Sequence, residues 1–194
     1  MRNTEKYRRN RRVETDNKAA FSVPINGQGR EPYSLTVLGD FSGGYNTCGS
    51  IAAFNFMQLL GQKPSFSRIL HLTEKYALIS LPFMKKGKLG AHAFGIARVL
   101  KIMGIKCAVT ASAKKADKAL SDGRPVILLY QDKKQLYMHF VVIRISGDKA
   151  EIFNRYNNSV STVFIDKTDI KAITESFGGR IILLIIPNRK ERLT

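Results

Sequence analysis

Cys48 is the residue around which this chain can do chemistry. It ends a glycine-rich loop carrying Gly39, Gly43 and Gly44, and it starts an apolar run (Ile51, Ala52, Ala53, Phe54, Phe56, Met57, Leu59, Leu60) that Gly61 closes. A run that is apolar on almost its whole circumference predicts a helix buried on most faces. A cysteine in its first turn meets unpaired backbone N–H groups and the positive end of the helix dipole. That environment favours thiolate over thiol, and a nucleophilic thiol needs a base within reach. His139 is the candidate base. Asn154 stands on the far side of a Gly147-Asp148 turn, with His139 eight residues before Gly147 and Asn154 seven after it. In a hairpin, residues nearly equidistant from the turn share a face. An asparagine carbonyl accepting one imidazole N–H would fix the tautomer and leave the other ring nitrogen for the thiol. The other two histidines are weaker candidates. His71 lies on a moderately polar helical stretch, as packing histidines do, and His92 has no neighbour in sequence to orient it.

These residues need a scaffold, and the chain is long enough for one. Its 194 residues with 44% apolar content describe a single globular domain with a real core. Residues 1–20 are polar and basic without usable periodicity and read as a flexible N-terminal arm, leaving 21–194 as the domain. After the Cys48 helix, Pro64-Ser65 is a turn and N-cap for a second helix through Phe66, Ile69, Leu70, Thr73 and Ala77. A third runs from about Ala91 to Met103 and stops at Gly104. The second half changes character: a strand from Ile105 to Thr110, a small helix capped by Ser112, a buried strand from Val126, the hairpin about Gly147-Asp148, a strand from Val160 to Ile165, a short helix from Asp166 to Ser176, and Ile181 to Ile186 closing the sheet. Helices early and strands late make an α+β fold, with N-terminal helices packed on a C-terminal antiparallel sheet.

Composition narrows the partners. The net charge of +17, from 32 basic and 15 acidic residues, suits an anionic partner: nucleic acid, an anionic polymer, a membrane surface or an acidic peptide. No helix-turn-helix, zinc-finger or aromatic-basic sheet signature favours nucleic acid. Two cysteines, Cys48 and Cys107, do not make a disulfide framework. The charged N-terminus has no secretory pattern, and the apolar stretch Ile181 to Ile186 is too short to span a bilayer, so a cytoplasmic location is expected. Three histidines without zinc-ligand spacing call for no metal, and no cofactor is expected.

The run Asn46-Thr47-Cys48-Gly49-Ser50-Ile51-Ala52-Ala53 resembles the nucleophile segment of papain-like cysteine peptidases, and more closely that of the bacteriocin-processing, or double-glycine, peptidases. Gly123-Arg124-Pro125-Val126-Ile127-Leu128 and His139-Phe140-Val141-Val142-Ile143 are similar to strands of that family, and the likeness runs from about Ser34 to Pro187. It implies a papain-like fold in which Cys48 attacks a peptide carbonyl, His139 is base and acid, and Asn154 orients it, on a peptide or protein substrate. Two departures stand out. The family's oxyanion glutamine six residues before the cysteine is Ser42 here, so Asn46 or another loop donor would have to replace it beside the Cys48 N–H. The family's Asp-Pro is Asn154-Arg155. Two other classes fit the same residues: a Cys-His acyltransferase of transglutaminase-like type, and a catalytically weak binding module using the basic surface. The Gly43-Gly44 pair also admits self-trimming after Gly44, beside the plainer reading of a flexible catalytic loop.

Overall fold

The computed structural model describes residues 3–134 and 137–188. The N-terminal segment is a correction to the expected arm. Asn3–Asp16 form helix α1, which docks through a polar stripe rather than an apolar one. Lys6, Asn10 and Glu14 recur every four residues and so share a helix face. The Lys6 ammonium is buried 3.0 Å from the Glu74 carboxylate. The Asn10 carboxamide closes two 2.8 Å hydrogen bonds with the main chain of Val37. The Glu14 carboxylate accepts from the N–H groups of Phe66 and Ser67 at 2.7 and 3.1 Å, capping helix α4 (Phe66–Tyr76) together with Ser65. Burial of these groups is offset by their partners. Hydrophobic periodicity cannot detect such a helix.

A 3-10 turn at Tyr33–Leu35 and a two-residue ribbon, β1 (Val37–Leu38) with β2 (Phe41–Ser42), lead into the short helix α2 (Gly43–Asn46). Gly43 is buried against Tyr33 and Thr36, where a Cβ would collide, so packing alone requires glycine there. Helix α3 (Cys48–Leu59) follows at once, buried on nearly every face as its composition requires. Helix α5 (Ala93–Ile102) completes the helical layer.

The sheet has six antiparallel strands in the order β3-β8-β4-β5-β6-β7, with β3 at Cys107–Thr110, β4 at Val126–Asp132, β5 at Met138–Ser146, β6 at Lys149–Phe153, β7 at Val163–Ile165 and β8 at Gly179–Pro187. The last strand lies inside the sheet, between β3 and β4, with β3 and β7 at the edges. One face, through Ile127, Leu129, Phe140, Val142, Phe153 and Ile185, shares a core with α3, α4 and α5. The other, through Leu128, Val141, Ile143, Ile152 and Leu184, is covered by α6 (Ala113–Ser121) and α7 (Ile170–Ser176). The expected hairpin forms about Gly147-Asp148, with Ser146 opposite Lys149. Among the described residues no helix is long and apolar enough to cross a membrane.

Candidate active site

A cavity of about 510 Å³ opens where the N-terminus of α3 meets the start of β5, and both Cys48 and His139 line it. Cys48 is the first residue of α3, half-buried and unbridged. Burial pushes its thiol up, while the N–H groups of Phe140, Gly49 and Cys48 itself work in the opposite direction. The sulfur thus lies against the amide that directly follows His139. These main-chain N–H groups are the polar neighbours that work against burial at the sulfur.

His139 is buried, its ring set edge-on to Tyr130 with centroids 6.0 Å apart. Its Nε2 lies 2.6 Å from the main-chain oxygen of Asn154. A carbonyl oxygen only accepts, so Nε2 carries the hydrogen and Nδ1 is left with the lone pair. Burial pulls the imidazole down to about 4, the Asn154 carbonyl opposes this, and the nearby Arg155 guanidinium adds to the depression. Near neutral pH the site therefore holds a thiol and a neutral imidazole, not a preformed ion pair.

Asn154 meets His139 through a different atom from the one expected. Its backbone is left-handed, φ 59°, a conformation asparagine tolerates, and the imidazole is held by its main-chain carbonyl. The carboxamide turns to Gln28: Asn154 Oδ1 accepts from the Gln28 N–H at 3.3 Å, and Asn154 Nδ2 donates to Gln28 Oε1 at 3.2 Å. Gln28 is buried, lines the same cavity, and donates from Nε2 to the Gly44 carbonyl at 3.3 Å. It reaches the site because Asn55 of α3 clamps the main chain of Ile25 at 2.6 and 2.8 Å, fixing the segment three residues upstream. Sequence reasoning missed Gln28. Its signal is the pairing of a Gly-Gln-Gly triplet with an otherwise unexplained buried asparagine on the nucleophile helix.

Ser42 and Asn46 are corrections. Ser42 is exposed at the start of α2 and lines a separate cavity with Lys6, Arg9 and Asp40. Asn46 borders the Cys48 cavity, but its Nδ2 donates to the carbonyls of Leu38 and Gly87 at 3.2 and 2.9 Å. Both amide hydrogens are spent on holding loops, so it has none for an oxyanion. His92 caps α5, its Nδ1 accepting from the Gly95 N–H at 3.1 Å, and His71 packs on Tyr7 with centroids 5.3 Å apart.

The depressed His139 value carries a stability prediction. The unfolded imidazole titrates near 6.5 and the native one at about 4. Between those pH values the unfolded chain binds more protons. The contribution is therefore complete above about pH 6.5 and lost as pH falls toward 4, a span of roughly 3 kcal/mol. Unfolding free energies from urea titration should fall between pH 7 and pH 4 by about this amount more in wild type than in His139→Gln. Equal acid losses in the two proteins would contradict the buried neutral imidazole.

The fold is similar to that of the peptidase domain of Streptococcus ComA, described as a bi-functional ABC transporter involved in a quorum-sensing pathway. The TM-score is 0.52 at 18% identity, over 73% of this chain and 90% of that one. What the two share at that identity is the fold: helices packed on an antiparallel sheet, as in a papain-like peptidase domain. No protein-family profile and no curated protein sequence matches the chain.

Proposed function

We propose that this chain is a cysteine peptidase acting through an acyl-enzyme on Cys48. The reading is supported above all by a cavity that Cys48 and His139 both line, with the imidazole held 2.6 Å from the Asn154 carbonyl in the tautomer that makes Nδ1 the base. As Sγ bonds to the substrate carbonyl carbon, Nδ1 takes the thiol proton. The tetrahedral oxyanion receives the Cys48 N–H and the Gln28 carboxamide, whose second Nε2 hydrogen is not needed by Gly44. Nδ1–H then protonates the leaving amine, the C–N bond breaks, and a thioester remains. Water, deprotonated by Nδ1, attacks that thioester and releases Cys48 as the thiol. Incubation with a peptide library, read by mass spectrometry, tests the reading. Cleavage by wild type and none by Cys48→Ser is expected, and no cleavage by wild type would refute it.

Asn154 acts here as a positioning residue, and its two substitutions separate its two roles. Glycine keeps the left-handed turn and with it the carbonyl under His139. Alanine strains the turn by about 1–2 kcal/mol, roughly a further tenfold. Asn154→Gly should thus retain more kcat/KM than Asn154→Ala and preserve the Nε2–H tautomer in ¹⁵N spectra. Equal impairment of the two would instead assign the imidazole's orientation to the side chain.

A further inference from the structure

The segment 81–89 reads Leu-Pro-Phe-Met-Lys-Lys-Gly-Lys-Leu, and the fold leaves its apolar side chains in solvent. Leu81, Met84 and Leu89 are exposed, and Phe83, at 108% of a reference phenylalanine, buries nothing. Phe83 also adopts φ 67°, a left-handed conformation that is uncommon for a bulky residue. The turn is firmly based despite this. Asp40 exchanges two 2.9 Å hydrogen bonds with the main chain of Lys86. The Gly87 carbonyl accepts from Asn46, and Ile79 donates to Gly90 at 3.0 Å. Gly87, at φ 90°, presses so close to Asn46 that a Cβ would lie 2.5 Å from Nδ2. The base is therefore rigid and the apolar tip projects from it.

Cations stand at the shoulders of this tip. Lys85 and Lys88 are exposed, and neither joins an ion pair among the described residues, whereas Lys86 leans back on Glu74 at 3.5 Å. A convex apolar tip cannot grip an extended peptide, which needs a groove or a free sheet edge. It can sink into the boundary between headgroups and acyl chains, where an aromatic ring and flanking ammonium groups each find a suitable medium. The +17 net charge draws the whole molecule to the same surface. We propose that residues 81–89 dock this protein on an anionic lipid bilayer, with Phe83 and Met84 inserted and Lys85 and Lys88 at the phosphates. Lys88, Leu89 and Gly90 also line the Cys48 cavity, so docking sets the mouth of that cavity beside the lipid.

The chain has no tryptophan, so Phe83→Trp is a sole reporter at the tip. With the full chain and vesicles of 70:30 phosphatidylcholine and phosphatidylglycerol, its emission should shift to the blue and be quenched by brominated acyl chains. Pure phosphatidylcholine should leave it unchanged. Co-sedimentation with the anionic vesicles should weaken at least tenfold in Phe83→Ser/Met84→Ser and not at all in Cys48→Ala, so the result stands apart from the peptidase reading. Unchanged emission of a co-sedimenting Phe83→Trp protein would show binding by other basic surfaces and overturn the proposal. Equal sedimentation of the double variant, with a raised KM for peptide cleavage, would overturn it in favour of peptide docking.

Discussion

His139→Ala is expected to lose peptide hydrolysis by roughly 10²–10⁴-fold in kcat/KM, the range for removing a positioned general base. The effect should be large because the resting pair is neutral. Burial raises the thiol and depresses the imidazole, so little thiolate exists at neutral pH without proton transfer during attack. Two controls follow from the same geometry. Alkylation of Cys48 in wild type should climb with pH past the ordinary thiol range near 8.5, with no plateau at low pH. His139→Ala should fold normally at pH 7, since deleting a buried neutral ring leaves the Asn154 carbonyl beside space that water can fill. A low-pH alkylation plateau would mean a preformed thiolate–imidazolium pair and would count against the neutral resting state.

Gln28→Ala is the second large expected loss, about 10²–10³-fold in kcat with a small change in KM, as for removal of one oxyanion donor. The carboxamide is well placed for preorganised donation. It is buried, its Oε1 is occupied by Asn154 Nδ2, and its Nε2 hydrogens are thereby turned toward Gly44 and the cavity. Gln28→Glu should lose as much as Gln28→Ala, since a carboxylate keeps the size but repels an oxyanion. A loss confined to KM in both variants would make Gln28 a substrate contact instead. Ser42→Ala, in its separate cavity, should leave kcat unchanged.

The contrast between Ser42 and Gln28 shows where sequence reasoning stops. Local chemistry was readable. Ser65 and Ser112 cap their helices with 3.4 Å hydrogen bonds, and Gly147-Asp148 makes the two-residue turn, because each of these depends on neighbours within a few residues. The buried helix behind Cys48 and the strand of His139 were readable for the same reason. Gln28 stands twenty residues before Cys48 and arrives through Asn55 and Asn154, contacts that no local pattern records. Helix α1 escaped because its docking stripe is polar. The interior position of β8 escaped because an apolar run has the same look beside one neighbour or two. At Asn154 the residue was legible and the atom was not. The choice between carboxamide and carbonyl rests on a left-handed backbone turn that the letter N permits without dictating.

The proposed mechanism requires that the Cys48 sulfur become covalently acylated by a peptide carbonyl while His139 moves the protons. Intact-mass spectrometry after incubation with an activated peptidyl ester, quenched in acid and mapped by peptide digestion, tests it most directly, with Cys107 as an internal reference thiol. One acyl group on Cys48 is expected in wild type, none in Cys48→Ala and a greatly slowed one in His139→Ala. Acylation of Cys107 and Cys48 alike, or at equal rates with and without His139, would contradict it.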